Sequence, residues 1–395
     1  MTAEAIRDVR IGDVSISRND DRIQVTSVVE GLGAPFPLYF STANNTLARS
    51  LGSWSCGDAF VIAVLPIALR LGLDISSRSP LSSRLMANLP TIMSIFAAWY
   101  DDFTPVTVHA ATIELPAPAN RGIAGFFSGG VDSFFSAIDR HADLTHLVAV
   151  HGFDVPVSNR PLWNVIAPRL SLASDALDRP LLLVETNLRE LSNRFVSWPL
   201  HQFGAGLAAV ATLLAPIAHR VLIPASESFR HLNPCGSHPI LDPLWSTEAV
   251  EIEHHGAAFN RNQKIAAIAN SETALHHLRV CWENPGNLFN CGRCEKCVRT
   301  MLGLVVAGAE DRCRSFPDRV TSDLVRATRI PLDLVLFHAE ANLSALRKAG
   351  HDQLGQALAE VIARYRAERL GQEVRALPAS GWIRLLRTLL RRSSR

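Results

Sequence analysis

Two groups of residues in this 395-residue chain have the types and spacing to do chemistry. The first is Ser128-Gly129-Gly130-Val131-Asp132-Ser133, which follows the apolar run Gly122 to Phe127 and precedes a helical rhythm of Phe134, Phe135, Ala137 and Ile138. The pattern predicts a strand, a glycine turn and a helix. Adjacent glycines let backbone approach a ligand closely, and amides at the positive end of a helix dipole suit an anion. Ser128 and Ser133 add hydroxyls, so the turn suits a phosphate. The second group is Cys281, Cys291, Cys294 and Cys297, spaced C-x9-C-x2-C-x2-C. Four thiolates with no place for water match structural zinc. The spacing differs from ferredoxin patterns, which leaves an iron–sulfur cluster as the alternative. Seven cysteines is an odd count, and their clustering argues for metal over disulfides in a reducing compartment. Arg293, Lys296 and Arg299 surround the cluster, where they stabilise thiolates or face a substrate anion.

The elements around the glycine turn alternate. Thr145–His151, Leu181–Thr186, Val221–Ala225 and Val250–His254 read as strands, with helices at Leu162–Leu177, His201–His219 and Asn260–Ala269. Such alternation predicts an α/β fold with a doubly wound, mainly parallel sheet. Ligands of such sheets sit beyond the carboxyl ends of the strands. That edge should collect Ser128, His151-Gly152, Thr186 and Ser226-Glu227. His201, His231 and His238 lie in edge segments as candidate general bases, and Asp242 before Pro243 is either a substrate contact or a turn residue.

Residues 1–120 read as an α+β accessory domain. Its strands are Val9–Ser17, Arg22–Val29 and Phe36–Ser41, the first two joined at Asn19-Asp20-Asp21, and Val106–Leu115 returns as a fourth. Asp58–Leu71 reads as a buried helix, and Ser82 or Ser83 caps another that runs to Trp99 and that Pro90 should kink or divide. Cys56 has no partner at metal-ligand spacing. After the linker Pro116–Asn120, residues 121–318 form the phosphate-binding domain. Residues 319–395 form a helical region with helices Leu332–Lys348 and Leu354–Leu370 and a basic amphipathic tail, Gly381–Arg395. Hydrophobic residues at 48% allow a large core, and a net charge of +2 gives no general argument for nucleic acid. No apolar run is long enough to span a membrane, and the first residues lack a signal-peptide core, so a cytoplasmic protein is expected.

SGGVDS matches neither the Walker loop nor GxGxxG. It resembles the PP-loop of the ATP pyrophosphatases, which cleave ATP between the α and β phosphates and adenylate a substrate. Together with the cysteine pattern, residues 122–300 resemble the 7-cyano-7-deazaguanine synthases. Lys264 within NQKIAAIA, Ser226-Glu227, and VCWEN before CGRCEKCVR add to the likeness. The resemblance implies a HUP/PP-loop domain with a zinc knuckle on the four cysteines. It implies ATP and Mg2+ at Ser128, Gly129, Gly130, Asp132 and Ser133, with His151 on the adenine and Asp132 and Lys264 as the catalytic pair. It also implies a 7-carboxy-7-deazaguanine-like carboxylate, met by Ser226 and Glu227 and converted with an amine or ammonia to an amide or nitrile; His238 and Asp242 at the sheet edge and Arg299 just after the last cysteine are polar groups that would complete its pocket.

The chain departs from that family where the purine is recognised. HLNPCGSHPILDPLWS stands in place of a Tyr-Pro-Asp-Cys-Arg-like segment, and SWPLHQFGAG in place of an Arg-Asn pair. Residues 1–120 and the last 75 have no counterpart in the small synthases. They offer docking surfaces for a protein acceptor or partner, a homodimer is left open, and a glutaminase would be a separate protein. Two competing functions are a tRNA-thiolating PP-loop enzyme, which needs reactive cysteines and a basic face, and a non-catalytic ATP-binding scaffold.

Overall fold

The computed structural model describes residues 8–19, 22–43, 57–116 and 121–376. The N-terminal part supplies strands β1 (Asp8–Ile11), β2 (Ser15–Asn19), β3 (Arg22–Glu30), β4 (Phe36–Thr42), β5 (Asp74–Ser77), β6 (Leu81–Ser82), β7 (Val108–His109) and β8 (Thr112–Ile113). Two helices lie among them, α1 (Asp58–Leu71) and α2 (Ser83–Trp99). The next part supplies β9 (Gly122–Phe126), α3 (Val131–Asp139), β10 (His146–His151), α4 (Arg160–Ala176) and β11 (Leu181–Thr186). After α5 (Leu188–Ser192), a π-helical turn at Trp198–Gln202 leads into α6 (Phe203–Leu213), followed by β12 (Ala218–Pro224) and β13 (Glu251–His255). The remainder is helical: α7 (Arg261–Ile268), α8 (Glu272–His277), α9 (Glu295–Val306), α10 (Ser322–Ala327), α11 (Asp333–Lys348) and α12 (Asp352–Ala376).

Eleven strands form one mixed, mostly parallel sheet, in the order β13-β12-β9-β10-β11-β4-β3-β1-β5-β7 with β2 beside β3. Five consecutive positions, β13 to β11, are parallel throughout. Counted from β9 their order is 3-2-1-4-5, so the chain reverses direction across the sheet at β9. Their residues are apolar on both sides because helices cover both faces. Along β10, Leu147 and Ala149 enter one core while Val148 enters the other.

The boundary expected at residue 120 does not separate two cores. Strand β4 pairs antiparallel with β11, setting Thr42, Ser41 and Phe40 opposite Val184, Glu185 and Thr186. Phe40 meets Phe60 of α1 edge-to-face at 5.6 Å, and Gln202 Nε2 donates to the Ala63 carbonyl of α1 at 2.9 Å. The apolar core of residues 9–103 continues through Val184, Ala208 and Ile223.

Within this part α1 has the expected bounds, and Ser82 caps α2 through Leu85 N. Pro90 does not divide α2 into two elements: the helix runs on through it, with the proline on the exposed face. The strand expected at Val106–Leu115 is two short ones, β7 on the large sheet and β8 on β6. The helix expected from His201 to His219 ends at Leu213, and residues from Ala218 already pair in the sheet. The turn residues Asp20 and Asp21, Cys56, linker residues 117–120 and the tail Gly381–Arg395 lie outside the described residues. Among those described, no helix is long and apolar enough to cross a membrane.

Candidate functional site

The glycine turn leaves β9, the strand where the parallel order reverses, and a crevice for ligands opens at such a switch point. Gly129 has φ +74°, a conformation that side-chain-bearing residues rarely adopt, so the turn calls for glycine there. Gly130 caps α3 with no side-chain hydrogen bond. The backbone hydrogen bonds of the turn use its carbonyls: Gly130 O accepts from Phe134 N, and Gly129 O from Arg279 N at 2.7 Å. The amides of residues 128–133 make no backbone hydrogen bond outside α3, and those of Val131–Ser133 open the helix, where amides lack an intrahelical partner.

Those amides border a cavity of about 180 Å³ lined from both faces of the sheet. Phe127, Trp163, Ile166 and Leu170 form one wall, and Phe153, Phe203, Leu207 and Pro224 another. Between the walls stand Asp132, Asp154, Arg261, Arg279 and Lys296. Asp132 meets Lys264 Nζ at 3.2 Å and Arg261 Nη1 at 3.1 Å. Burial pushes its carboxyl up, but Lys264, Arg261 and Lys296 outweigh this and hold it below the usual carboxylate range. Lys264 is 1% exposed and also donates to the Ala225 carbonyl. Arg261 and Arg279 are buried, and each leaves its Nε without a partner. Burial lowers the pKa of Lys296 and of Arg279, so charge on both is costly until an anion arrives. Asp132 and Asp154 are the carboxylates of the lining, and Asp132 already faces two cations.

The four cysteines come together from Cys281 and the turn that opens α9. Their sulfurs all lie within 4.8 Å of one another, and all four residues are buried. Cys291 and Cys297 are 3.9 Å apart and Cys281 and Cys294 4.0 Å. A tetrahedron with Zn–S of about 2.3 Å has S···S of about 3.8 Å, whereas a disulfide needs about 2.05 Å. The amides of Arg293 and Cys294 point at Cys291 Sγ at 3.4 and 3.2 Å, as a thiolate acceptor would require. The donor set therefore fits a structural metal ion such as zinc. Arg279, Val280, Cys281 and Trp282 line the cavity, so the knuckle and the glycine turn share one wall.

The other expected residues separate into two groups. Ser128, Gly130, Asp132, Ser133 and Ser226 line the cavity. His151 does not: it is buried, its ring nitrogens meet Glu185 Oε2 at 3.1 Å and the Pro156 carbonyl at 3.2 Å, and its face stacks on Trp163. Glu227 is occupied by the amide and side chain of Asn233, and burial raises its pKa. Asp242, fully buried, holds Ser237 Oγ and His254 Nδ1, each at 2.7 Å. His238 accepts from Ile240 N and packs edge-on against Trp99. Arg299 pairs with Glu295 at 3.2 Å on α9, and burial lowers its pKa to about 10. None of these five borders the cavity. His201 packs between Tyr100 and Phe103, and His231 stacks on Phe337 of α11.

Arg261 and Arg279 were not among the expected site residues. The available signals were slight: Arg261 lies three residues before Lys264 on one helix, and Arg279 two residues before a metal-type cysteine. Comparison with protein-family models, curated proteins and solved structures finds no match to this chain.

Proposed function

We propose that the chain is a PP-loop ATP pyrophosphatase that adenylates a carboxylate and passes the acyl group to an amine or ammonia. One observation carries this: unpartnered amides of residues 128–133 and the buried, under-used guanidiniums of Arg261 and Arg279 converge on one cavity at the switch point. A polyanion in that cavity meets the turn and the positive charge of Arg261, Arg279 and Lys296 together. The loop amides and Arg279 hold the β and γ phosphates, and Arg261 and Lys296 neutralise charge as it develops. A carboxylate oxygen attacks the α phosphorus, the α–β bridging bond breaks, and pyrophosphate leaves with the electron pair. The amine nitrogen then attacks the acyl carbon and AMP departs. Asp132 acts by fixing Arg261 and Lys264, so Lys264 is a support of the site more than a phosphate ligand. A metal ion on the four cysteines would hold Arg279 to Trp282 in the cavity wall and takes no part in the chemistry.

The HUP/PP-loop assignment, ATP and Mg2+ belong to this proposal, which takes the carboxylate only as a class. Sulfur transfer to tRNA is less well supported: Cys235 is buried and its thiol is pushed up to about 12 by burial and Glu227, unlike a reactive thiolate. The test is product analysis with ATP, an amine and a panel of carboxylates. AMP and pyrophosphate in equal amounts are expected. ADP and inorganic phosphate would contradict cleavage at the α phosphorus.

A further inference from the structure

The polar groups of the cavity are few, and the proposed phosphates engage most of them: the turn amides, Arg261, Arg279 and Lys296. Beyond these the lining offers only the exposed Ser226 and Asp154 as polar side chains away from the turn. The rest of the side-chain lining is mainly apolar on both faces of the sheet, the indole N–H groups of Trp163 and Trp282 and the Cys281 sulfur apart. On one side stand Trp163, held flat against His151 at 4.6 Å, with Ile166 and Leu170. On the other stand Phe153, Phe203 and Leu207. Phe153 is fixed by Trp198 at 4.8 Å and by the bare backbone of Gly206, where a Cβ would come within 3.2 Å of its ring. Whichever wall takes the nucleobase, the remaining wall is apolar.

A donor-rich heterocycle needs buried partners, and a site without them loses orders of magnitude in discrimination. The side chains expected to supply them, Glu227, His238 and Asp242, are engaged with Asn233, Ile240, Ser237 and His254 and stand off the cavity. Resting on the adenylating function above, we propose that the acceptor is a carboxylic acid with an apolar body, aromatic or aliphatic, and not a polar purine. Its carboxylate reaches the α phosphorus beside the glycine turn while its body lies against Phe153, Phe203 and Leu207. In the step concerned, the carboxylate oxygen forms the new P–O bond, pyrophosphate leaves, and the mixed anhydride remains.

The experiment is carboxylate-dependent exchange of labelled pyrophosphate into ATP by the full chain, with ATP binding measured in parallel. Benzoate, indole-3-acetate and octanoate are compared with glutamate and 7-carboxy-7-deazaguanine. At least one apolar acid should raise exchange tenfold or more above both polar acids. Phe203→Glu should remove that stimulation by at least tenfold, and the conservative Phe203→Leu should retain it, a contrast that separates acceptor contact from loss of fold. Exchange driven best by 7-carboxy-7-deazaguanine, or ATP binding with no acid effective, would overturn the inference and leave the nucleotide site standing. A folded chain that binds no ATP would remove both.

Discussion

Arg279 joins three features that the sequence presents separately. Its amide closes on the Gly129 carbonyl, its guanidinium lines the cavity, and its chain runs directly into Cys281. Asp132 is similar in reach, since it neutralises two buried cations that no other carboxylate among the described residues touches at salt-bridge distance. Asp132→Asn is therefore expected to lower stability by on the order of 2–3 kcal/mol as well as nucleotide affinity. Ser128→Ala, at an exposed position, should leave the melting temperature within about 1 °C but weaken ATP binding about tenfold, one charge-assisted hydrogen bond. Equal losses of stability in the two variants, seen by thermal melts, would count against this division of roles.

Far from the cavity, Asp58 tests the electrostatics of the core. It is almost fully buried at the start of α1, accepts from Ser82 N at 2.8 Å, and burial with nearby Glu248 raises its pKa to about 7. Between pH 4 and 7 the folded chain holds a proton that the unfolded chain releases, so stability falls as pH rises through that window. Relative to Asp58→Asn, the wild type should lose about 2–3 kcal/mol between pH 5 and 8. Parallel melting curves would contradict the assignment.

At the scale of elements, what was legible followed local rules. Asp58–Leu71 is apolar all round and is a helix buried on every side. Asn260 and Gln263 form a reciprocal capping box, which sets the start of α7. The strand Leu181–Thr186 has the bounds its apolar run suggests. Pro90 misled as a divider of α2 because the lost hydrogen bond and the crowded carbonyl are outweighed by the helix's buried face, and that packing is a tertiary property. Glu227, His238 and Asp242 misled for a related reason: residue type shows a capacity for hydrogen bonding, and only the fold shows where it is used. The cysteine turn is the element whose loss should travel furthest. Cys294→Ser is expected to remove the metal, and because Arg279 to Trp282 are anchored by the same knuckle, ATP binding should go with it. Elemental analysis and titration calorimetry on one sample check this. Metal-free, folded protein with full ATP affinity would contradict it.

Across the whole molecule the main surprise is the sheet. The link between β4 and β11 joins residues more than a hundred apart, and no local pattern announces such a pairing. Residues 121–395 expressed alone would expose β11 as an edge and strip α1 from α6, so aggregation is expected. A monodisperse fragment with a cooperative melt would restore the two-domain division. The C-terminal helices are joined as closely, with Asn342 of α11 donating to the Arg299 carbonyl of α9 at 2.9 Å and Phe337 stacked on His231.

All of this turns on whether the cavity beside the glycine turn is a polyphosphate site. Titration calorimetry of the full chain with α,β-methylene ATP and Mg2+ tests that directly. One site per chain is expected, with affinity falling at least tenfold in Arg279→Ala. No binding by the folded wild type, or binding indifferent to Arg279, would contradict it.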